Sequence, residues 1–311
     1  MTRQKDLLSI FNGEGDITEL ELLRKYTGGQ AVHIDKTTGL VFVKERRDAY
    51  VVADEWSNAV YESSSENTLG YRYTGLIPIM KSRHLFAVDS LNNTIPGGIK
   101  GKSVLDIGAG EGYFLTLARD LYGADVFGIE PSSKNCLLLN HQDINNFNGT
   151  VEDYFSHGSL KGKFDVVTLN WTLCNCSNIN SVISKAFELL SDNGYIMVSD
   201  SSRLLTPFKK SLSLYFEPSL PIDLHPWFFS FNSIRCLMAV HGFAPIFQNN
   251  HHEQNDLIII AGKKANIENS EEPEAYFDDY RDVINFFERW EKESQFYKSR
   301  DRGSYNLIPS I

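Results

Sequence analysis

The segment of this chain that most constrains the fold runs from Val104 to Gly112. It begins as a short apolar strand that carries one acid, Asp106, and continues with glycine at three alternate positions before a helical run starts at Tyr113. Glycine lets the backbone approach a bound molecule closely because no Cβ stands in the way, and the amino end of a helix favours anionic or polar groups. A second acid, Glu130, closes the next apolar strand, where its two oxygens can accept hydrogen bonds from a ribose diol. The segment therefore predicts a nucleoside-binding turn between a strand and a helix.

The spacing of the glycines distinguishes between two kinds of nucleoside-binding turn. A dinucleotide-binding turn reads G-x-G-x-x-G, with two residues between its second and third glycines. Here a single residue, Glu111, stands between Gly110 and Gly112. This spacing argues against a nicotinamide dinucleotide site. Together with the acid at position 130, the turn resembles the first two motifs of the class I S-adenosylmethionine (SAM) methyltransferases, and the resemblance covers residues 71–263.

The order of apolar segments after residue 71 predicts alternating strands and helices. Seven strands are expected, over residues 103–107, 124–130, 146–150, 164–169, 195–199, 242–247 and 256–261. One helix is expected ahead of the strands, over 76–91, and others between them, over 113–121, 134–140 and 179–190. The last helix is expected to end in a glycine-bearing turn at 191–194. The last two strands are joined by a short polar connection, which leaves no room for a crossover helix and so predicts an antiparallel pair. The expected fold is α/β, a Rossmann-like doubly wound seven-stranded sheet with a final antiparallel pair.

Segments on either side of this sheet predict additions to the core fold. Residues 1–70 are expected to form a small N-terminal α+β region, with helices over 7–26 and 50–62 and strands over 31–36 and 39–44. Residues 71–263 are the expected methyltransferase domain, with 201–230 as a substrate lid, and 264–311 an acidic linker and a C-terminal helix over 275–297. Aromatic residues recur at helical spacing in that last helix. We expect it to pack on the body of the protein or on a second copy, which would make a homo-oligomer.

Composition and charge narrow the classes of partner. The net charge is −10, and phosphate binding needs clustered Lys and Arg, so a nucleic-acid partner is disfavoured. The longest unbroken apolar run, Leu257 to Ala261, is too short to span a bilayer. Residues 1–12 lack the apolar core of a signal peptide. We therefore expect a cytoplasmic protein with no membrane span.

The cysteines do not form a metal-binding pattern. Cys174 and Cys176 are separated by one residue, with no second pair and no neighbouring histidine, so they are interpreted as reduced, packed thiols. The stretch from Gly39 to Phe42 is similar to the strand that follows a zinc ribbon in bacterial sugar-modifying methyltransferases. In this chain Thr37 and Thr38 stand where a cysteine of the ribbon is expected. No metal ligand is therefore assigned.

The resemblance to class I methyltransferases implies a role for the residues near the glycine turn. Asp106 would approach the amino group of the methionine part of SAM. The turn that would lie under the methionine and the ribose consists of Gly108, Ala109 and Gly110. Glu130 would hold the ribose hydroxyls, and Pro131 would pack near the adenine. Arg83, ahead of the turn, would meet the cofactor carboxylate, because a guanidinium binds a carboxylate through paired hydrogen bonds.

The resemblance also extends the implied cofactor site to two later segments. A backbone amide near Val151 would meet a ring nitrogen of adenine, and the acid Glu152 would accept from the exocyclic amine. Asn170 and Trp171 follow the fourth strand, at the sheet edge where open parallel sheets bind ligands. They would line the methionine part of the cofactor.

The chemistry of methyl transfer suggests which further residues to look for. Displacement at a sulfonium methyl group mainly requires that donor and acceptor be aligned, and a hydroxyl acceptor also needs a base for its proton. The candidates are Asp200, just past the fifth strand, and His225, in the 201–230 insertion. The hypothesis is a SAM-dependent methyltransferase acting on a hydroxyl of a small molecule, a glycan or a nucleotide sugar. The alternatives are a lipid or quinone acceptor, a protein side chain, and a catalytically silent binding subunit.

Overall fold

The apolar segments between residues 103 and 263 form one seven-stranded sheet in a computed structural model. The structure describes residues 2–61, 77–157, 162–201, 204–205, 212–216, 222–249, 257–268 and 270–304. The strands are β4 (Ser103–Ile107), β5 (Asp125–Glu130), β6 (Asn145–Asn148), β7 (Phe164–Asn170), β8 (Leu190–Asp200), β10 (Phe243–Gln248) and β11 (Leu257–Lys263). Their spatial order is β10-β11-β8-β7-β4-β5-β6. Strands β4 to β8 pair in parallel, whereas β11 pairs antiparallel with both β8 and β10. The predicted fold class is confirmed.

Helices cover both faces of this sheet, because its central strands are apolar on both sides. The helices are α3 (Ile77–Thr94), α4 (Tyr113–Tyr122), α5 (Ser133–His141), α6 (Val151–Ser156), α7 (Ile179–Leu189) and α9 (Phe231–Val240). One buried cluster packs α3 and α4 against one face, and a second packs α7 and α9 against the other. No helix in the described part of the chain is both long enough and apolar enough to cross a membrane.

The first 61 residues contain more elements than expected. They form α1 (Thr2–Ile10), β1 (Ile17–Glu19), β2 (Val32–Asp35), β3 (Val41–Val43) and α2 (Ala49–Tyr61). The predicted helix over 7–26 is wrong, because it ends at Ile10 and the chain then runs back as a strand beside β2. Gly15 lies so close to β2 that a Cβ there would stand 2.1 Å from Asp35 Oδ2. Apolar spacing alone did not detect this close approach.

A second, smaller sheet joins the start of the chain to the insertion. Its order is β1-β2-β3-β9, where β9 (Trp227–Phe228) comes from residues 201–230. The C-terminal helix α10 (Tyr280–Ser304) packs on this sheet and buries Val283, Phe287 and Trp290 in one core with Phe228. The helix thus docks on its own chain. It begins at Tyr280, later than predicted, because residues 273–276 form a separate 3-10 turn.

One further expectation can be compared with the structure, and another falls on residues that the structure does not describe. The turn predicted at 191–194 is wrong, since α7 leads directly into β8 at Leu190 and the register against β7 shifts between Phe164 and Val166. The residues between Leu190 and Tyr195 form an irregularity in the pairing of β8 with β7. The boundary expected at residue 70 lies outside the described residues. A short helix, α8 (Leu212–Tyr215), is described within the insertion.

Candidate functional site

A cleft of about 410 Å³ opens at the carboxyl ends of β4, β5 and β7. This is the edge at which open parallel sheets bind ligands, and the volume is in the range of small-molecule sites. Its walls come from α2, α3, the glycine turn, the end of β5, the segment after β7, and the insertion. One group of lining residues contains the acids Asp106, Glu111 and Glu130, and the other contains Trp56, Trp171 and His225. We call these the acid end and the aromatic end.

The glycine turn leaves its backbone uncovered at the acid end. Gly108 has φ +74°, and a Cβ there would stand 2.4 Å from Thr172 Oγ1, so the turn can pass Thr172 only without a side chain. Gly110 has φ +54°, and a Cβ there would meet nothing within 4 Å. Since Gly110 lines the cleft, that Cβ would occupy space open to a ligand. The sequence prediction of bare backbone beneath the ligand agrees with this geometry.

Glu130 is fixed beside the turn by backbone hydrogen bonds. Its Oε2 accepts from the N–H of Gly110 at 2.8 Å, and its Oε1 accepts from the N–H of Ser132 at 2.8 Å. The side chain is 4% exposed, and burial raises the pKa of the carboxyl while these two hydrogen bonds act in the opposite direction. Oε1 also accepts from Asn135 Nδ2 at 3.4 Å, whereas Oε2 keeps a second lone pair for another donor. Glu130 therefore faces the cleft as a positioned acceptor for hydroxyl groups.

Asp106 and Asn170 form a second polar group at the acid end. Asp106 Oδ1 accepts from Thr168 Oγ1 at 2.7 Å and from Asn170 Nδ2 at 3.0 Å. Burial raises the pKa of Asp106 to about 8, and the nearby charge of Glu130 adds to this. Asn170 Oδ1 is buried and has no hydrogen-bond partner among the described residues. A buried acceptor without a donor is costly, so this pair suits a ligand that brings N–H groups and positive charge.

Trp171 connects the aromatic end to α3. Its backbone has φ +54°, an unusual conformation for a tryptophan, and its N–H donates to the Ser199 carbonyl at 2.7 Å. The guanidinium carbon of Arg83 lies 3.7 Å from the centre of the indole, and the ring of His84 lies 4.5 Å from it. Arg83 and Trp171, both predicted from sequence, are thus brought into the same wall of the cleft.

Helix α2 supplies a wall that the sequence analysis did not anticipate. Trp56 and Ser57 line the cleft, and Ser57 Oγ donates to Ser132 Oγ at 2.6 Å beside Glu130. Tyr50 Oη donates to Asp153 Oδ2 at 2.6 Å, which ties the start of the helix to α6. The indole Nε1 of Trp56 is buried with no acceptor among the described residues. The sequence predicted a helix over 50–62, and no sequence signal indicated that it would line the cleft.

His225 reaches the aromatic end from the insertion. Its ring lies 4.8 Å from the ring of Trp56, and the next residue, Pro226, accepts the Val43 N–H at 2.8 Å through its carbonyl. Two residues earlier, Asp223 Oδ2 accepts from Arg47 Nε at 2.7 Å. Burial lowers the pKa of His225 to about 4, so the imidazole is neutral at neutral pH. The predicted histidine thus lies in the cleft, held there by the N-terminal region.

Three predicted residues lie outside the cleft lining. Asp200 is fully buried behind it, so its position does not support direct contact with an acceptor. Glu152 Oε1 accepts from Ser181 Oγ at 2.7 Å and is turned towards α7, and Val151 is buried in the core beneath. The position of Glu152 outside the cleft lining does not support the predicted contact with adenine, which stays a prediction. By contrast, Pro131 and Ala109 do line the cleft.

Comparison with known proteins matches this site to a family. A family model described as "Methyltransferase domain" matches residues 81–248, more than half of the chain. The chain belongs to the class I SAM-dependent methyltransferase family. SAM is the cofactor of this methyltransferase, and the acid end fits it. The carboxylate of Glu130 suits the ribose hydroxyls of SAM, and the backbone of the glycine turn leaves room for the cofactor to lie against it. Asn170 Oδ1, a buried acceptor, suits the amino group.

The relatives and a solved structure agree with this assignment. The chain is 30% identical over 137 residues to a ubiquinone biosynthesis O-methyltransferase of Shewanella pealeana, covering 42% of this chain and 57% of that protein. It is 32% identical over 119 residues to the protein of the same name from Glaesserella parasuis, covering 36% and 50%. The chain thus spans about half the length of these relatives. A SAM-dependent methyltransferase structure from Thermotoga maritima has a TM-score of 0.50 at 20% identity, covering 69% and 99%, and shows the shared fold.

Proposed function

We propose that this methyltransferase transfers the methyl group of SAM to a hydroxyl of a small molecule, which includes glycan and nucleotide-sugar building blocks, in the cytoplasm. The observation that carries the proposal is that one cleft is lined by three acids together with two tryptophans and a histidine. The acids suit a cationic donor, and the aromatic end offers a neutral base. Because both ends line the same cleft, a donor and an acceptor can be bound side by side.

At the acid end, the residues of the chain bind and orient the donor. SAM, when bound, supplies a methyl group on a positively charged sulfur. Asp106, Glu111 and Glu130 line this end, and burial raises the pKa of each carboxyl. A cation near these groups favours their ionised forms and so lowers their pKa values again. The acid end therefore attracts a sulfonium and an ammonium group more strongly than a neutral product.

At the aromatic end, the residues favour an oxygen acceptor. The neutral imidazole of His225 can accept the hydroxyl proton as the oxygen gains the methyl group. The buried N–H of Trp56 can donate to an oxygen of the acceptor. The relatives in the comparison are named O-methyltransferases, which supports oxygen over nitrogen or carbon. Trp56 and Trp171 add flat apolar walls that exclude water from the reacting groups.

Two measurements test this function. Isothermal titration with SAM and with its demethylated product should show binding of both. Labelled SAM is then incubated with panels of phenols, nucleotide sugars and other hydroxylated small molecules, and mass spectrometry should find a methyl ether in at least one panel. A protein that binds neither SAM nor its product would contradict the proposal. Methylation confined to an amine, a thiol or a protein side chain would contradict the hydroxyl assignment.

A further inference from the structure

Three side chains form a buried row behind the aromatic end. Asp200 is the last residue of β8, Cys174 lies in the 3-10 turn over residues 173–175 that follows β7, and His225 precedes β9. Asp200 is fully buried and Cys174 is 3% exposed. Only His225, at the end of the row, lines the cleft. The row thus connects a buried carboxylate to the cleft through a thiol and an imidazole.

The contacts along the row are hydrogen-bonding contacts. The Sγ of Cys174 lies 3.5 Å from Nδ1 of His225. The same thiol is hydrogen-bonded to the side chain of Asp200, and it also lies 3.5 Å from Asn175 Oδ1, a second acceptor for its one proton. Burial raises the pKa of the Cys174 thiol well above its usual value, and the contact with Asp200 raises it further. Cys174 is therefore a protonated thiol, and its chemistry here is to donate and accept hydrogen bonds.

The order of donors and acceptors in the row determines which nitrogen of His225 carries its proton. A carboxylate only accepts, and a thiol has one proton to donate. When the thiol donates to Asp200, its sulfur can only accept from the imidazole, so Nδ1 must carry the proton. The neutral ring then has no proton on Nε2. An imidazole without such a partner favours the opposite form, with the proton on Nε2.

We propose that Cys174 is a positioning residue that holds His225 in the Nδ1–H tautomer, with Asp200 orienting the thiol from behind. The consequence for chemistry rests on the proposed function. Nε2 is left as the basic atom, and it takes the proton of the acceptor hydroxyl as the oxygen gains the methyl group. The proton resides on His225, which then carries it as an imidazolium, and Cys174 and Asp200 keep their own protonation states. In a catalytic triad a carboxylate bonded directly to the histidine fixes its tautomer. In this chain the sulfur of Cys174 stands between the carboxylate and the histidine.

The tautomer can be read without a methyl acceptor or cofactor. Protein carrying ¹⁵N-labelled histidine is examined at neutral pH by long-range ¹H–¹⁵N correlation spectroscopy, which distinguishes a protonated ring nitrogen from a bare one. The signals of His225 are assigned by their loss in His225→Gln. We expect the Nδ1–H form in the native chain. In Cys174→Ala we expect the signals to switch to the Nε2–H form, because Nδ1 has lost its acceptor.

Two variants separate this role from simple packing. Cys174→Ser keeps a group that donates to Asp200 and accepts from His225, so the Nδ1–H form should return. Cys236→Ala removes another fully buried thiol, remote from the row, and should leave the signals of His225 unchanged. An Nε2–H form in the native chain would overturn the proposal, and so would an Nδ1–H form that persists in Cys174→Ala.

The outcome is independent of the proposed function. A protein that binds SAM but carries the Nε2–H form would refute the role of Cys174 and leave the methyltransferase proposal standing. A protein with the Nδ1–H form that binds no SAM would refute the proposed function while supporting the geometry of the row.

Discussion

The two ends of the cleft are built in different ways. The acid end comes mainly from neighbouring stretches of chain, Asp106 with the turn at 108–112 and the end of β5, and Asn170 is added to it from β7. The aromatic end is assembled from α2, the segment after β7 and the insertion, whose residues Trp56, Trp171 and His225 are far apart in sequence. Each end also contains one buried polar atom without a partner among the described residues, Asn170 Oδ1 and Trp56 Nε1.

This difference separates the part of the site that a whole family can share from the part that is specific to one enzyme. A donor shared by a whole family can be held by a local motif, because the same backbone geometry serves every member. An acceptor differs from enzyme to enzyme, and its walls come from segments added to the shared sheet. Changes at the acid end should therefore alter donor binding alone, and changes at the aromatic end should alter acceptor use alone. The following predictions test that separation.

The largest effect is expected for Gly110→Val. The new side chain would fill space open to the donor, and we expect SAM affinity to fall by about 100-fold, as for a badly overpacked site. Isothermal titration measures the loss. The matched control is Gly97→Val, since Gly97 has φ +75° and open space around its Cα but lies outside the cleft lining. Both variants carry backbone strain, so only a loss specific to Gly110→Val supports an occupied acid end.

Glu130→Gln should weaken SAM binding by about 10- to 100-fold, the range for losing charged hydrogen bonds. The amide would also present an NH₂ group to one of the two backbone N–H donors that the carboxylate now satisfies. Glu152→Gln is the control, because that acid is bonded to Ser181 away from the cleft. Titration of SAM into both variants gives the comparison. Equal losses would restore Glu152 to the cofactor site.

Trp56→Ala tests the aromatic end. Removing the indole should lower kcat/KM for the acceptor by about tenfold, as expected for the loss of aromatic packing, and should leave SAM affinity unchanged. The measurement is steady-state kinetics with the acceptor found in the methylation panels. Val51→Ala, an exposed change on the same helix, serves as the control. A parallel loss of SAM affinity in Trp56→Ala would show that the two ends are not separable.

The smallest effect expected is a pH dependence of donor binding that comes from Asp106. The pKa of its carboxyl is raised to about 8 in the free protein, mainly by burial. A cationic ligand favours the ionised carboxylate, so it binds less tightly while Asp106 is protonated. SAM affinity should therefore rise several-fold as pH increases from about 6 towards 8. Titration across this range should show the rise in the native chain and a shallower profile in Asp106→Asn, in which Glu111 and Glu130 still titrate.

The sequence predicted the fold class, because the alternation of apolar segments and the short connection before the last strand are encoded over short distances. The motif also named the residues of the acid end that line the cleft, while their roles towards the cofactor stay predictions. The aromatic end required knowledge of which distant segments meet. No local signal placed Trp56 beside His225, and the helix expected over 7–26 was wrong because β1 pairs with β2. The role of Glu152 stays a prediction, because motif spacing could not show that its side chain bonds to Ser181 outside the cleft lining.

The small sheet has a consequence for how this enzyme can change its acceptor. Strand β9 completes a sheet begun by the first residues of the chain, and α10 from the other terminus closes over it. His225, two residues before that strand, is thus anchored by both ends of the polypeptide. A graft of the insertion alone into another methyltransferase would carry the histidine without its anchor. Redesign of acceptor choice must therefore move three separated segments together, whereas the donor motif can stay where it is.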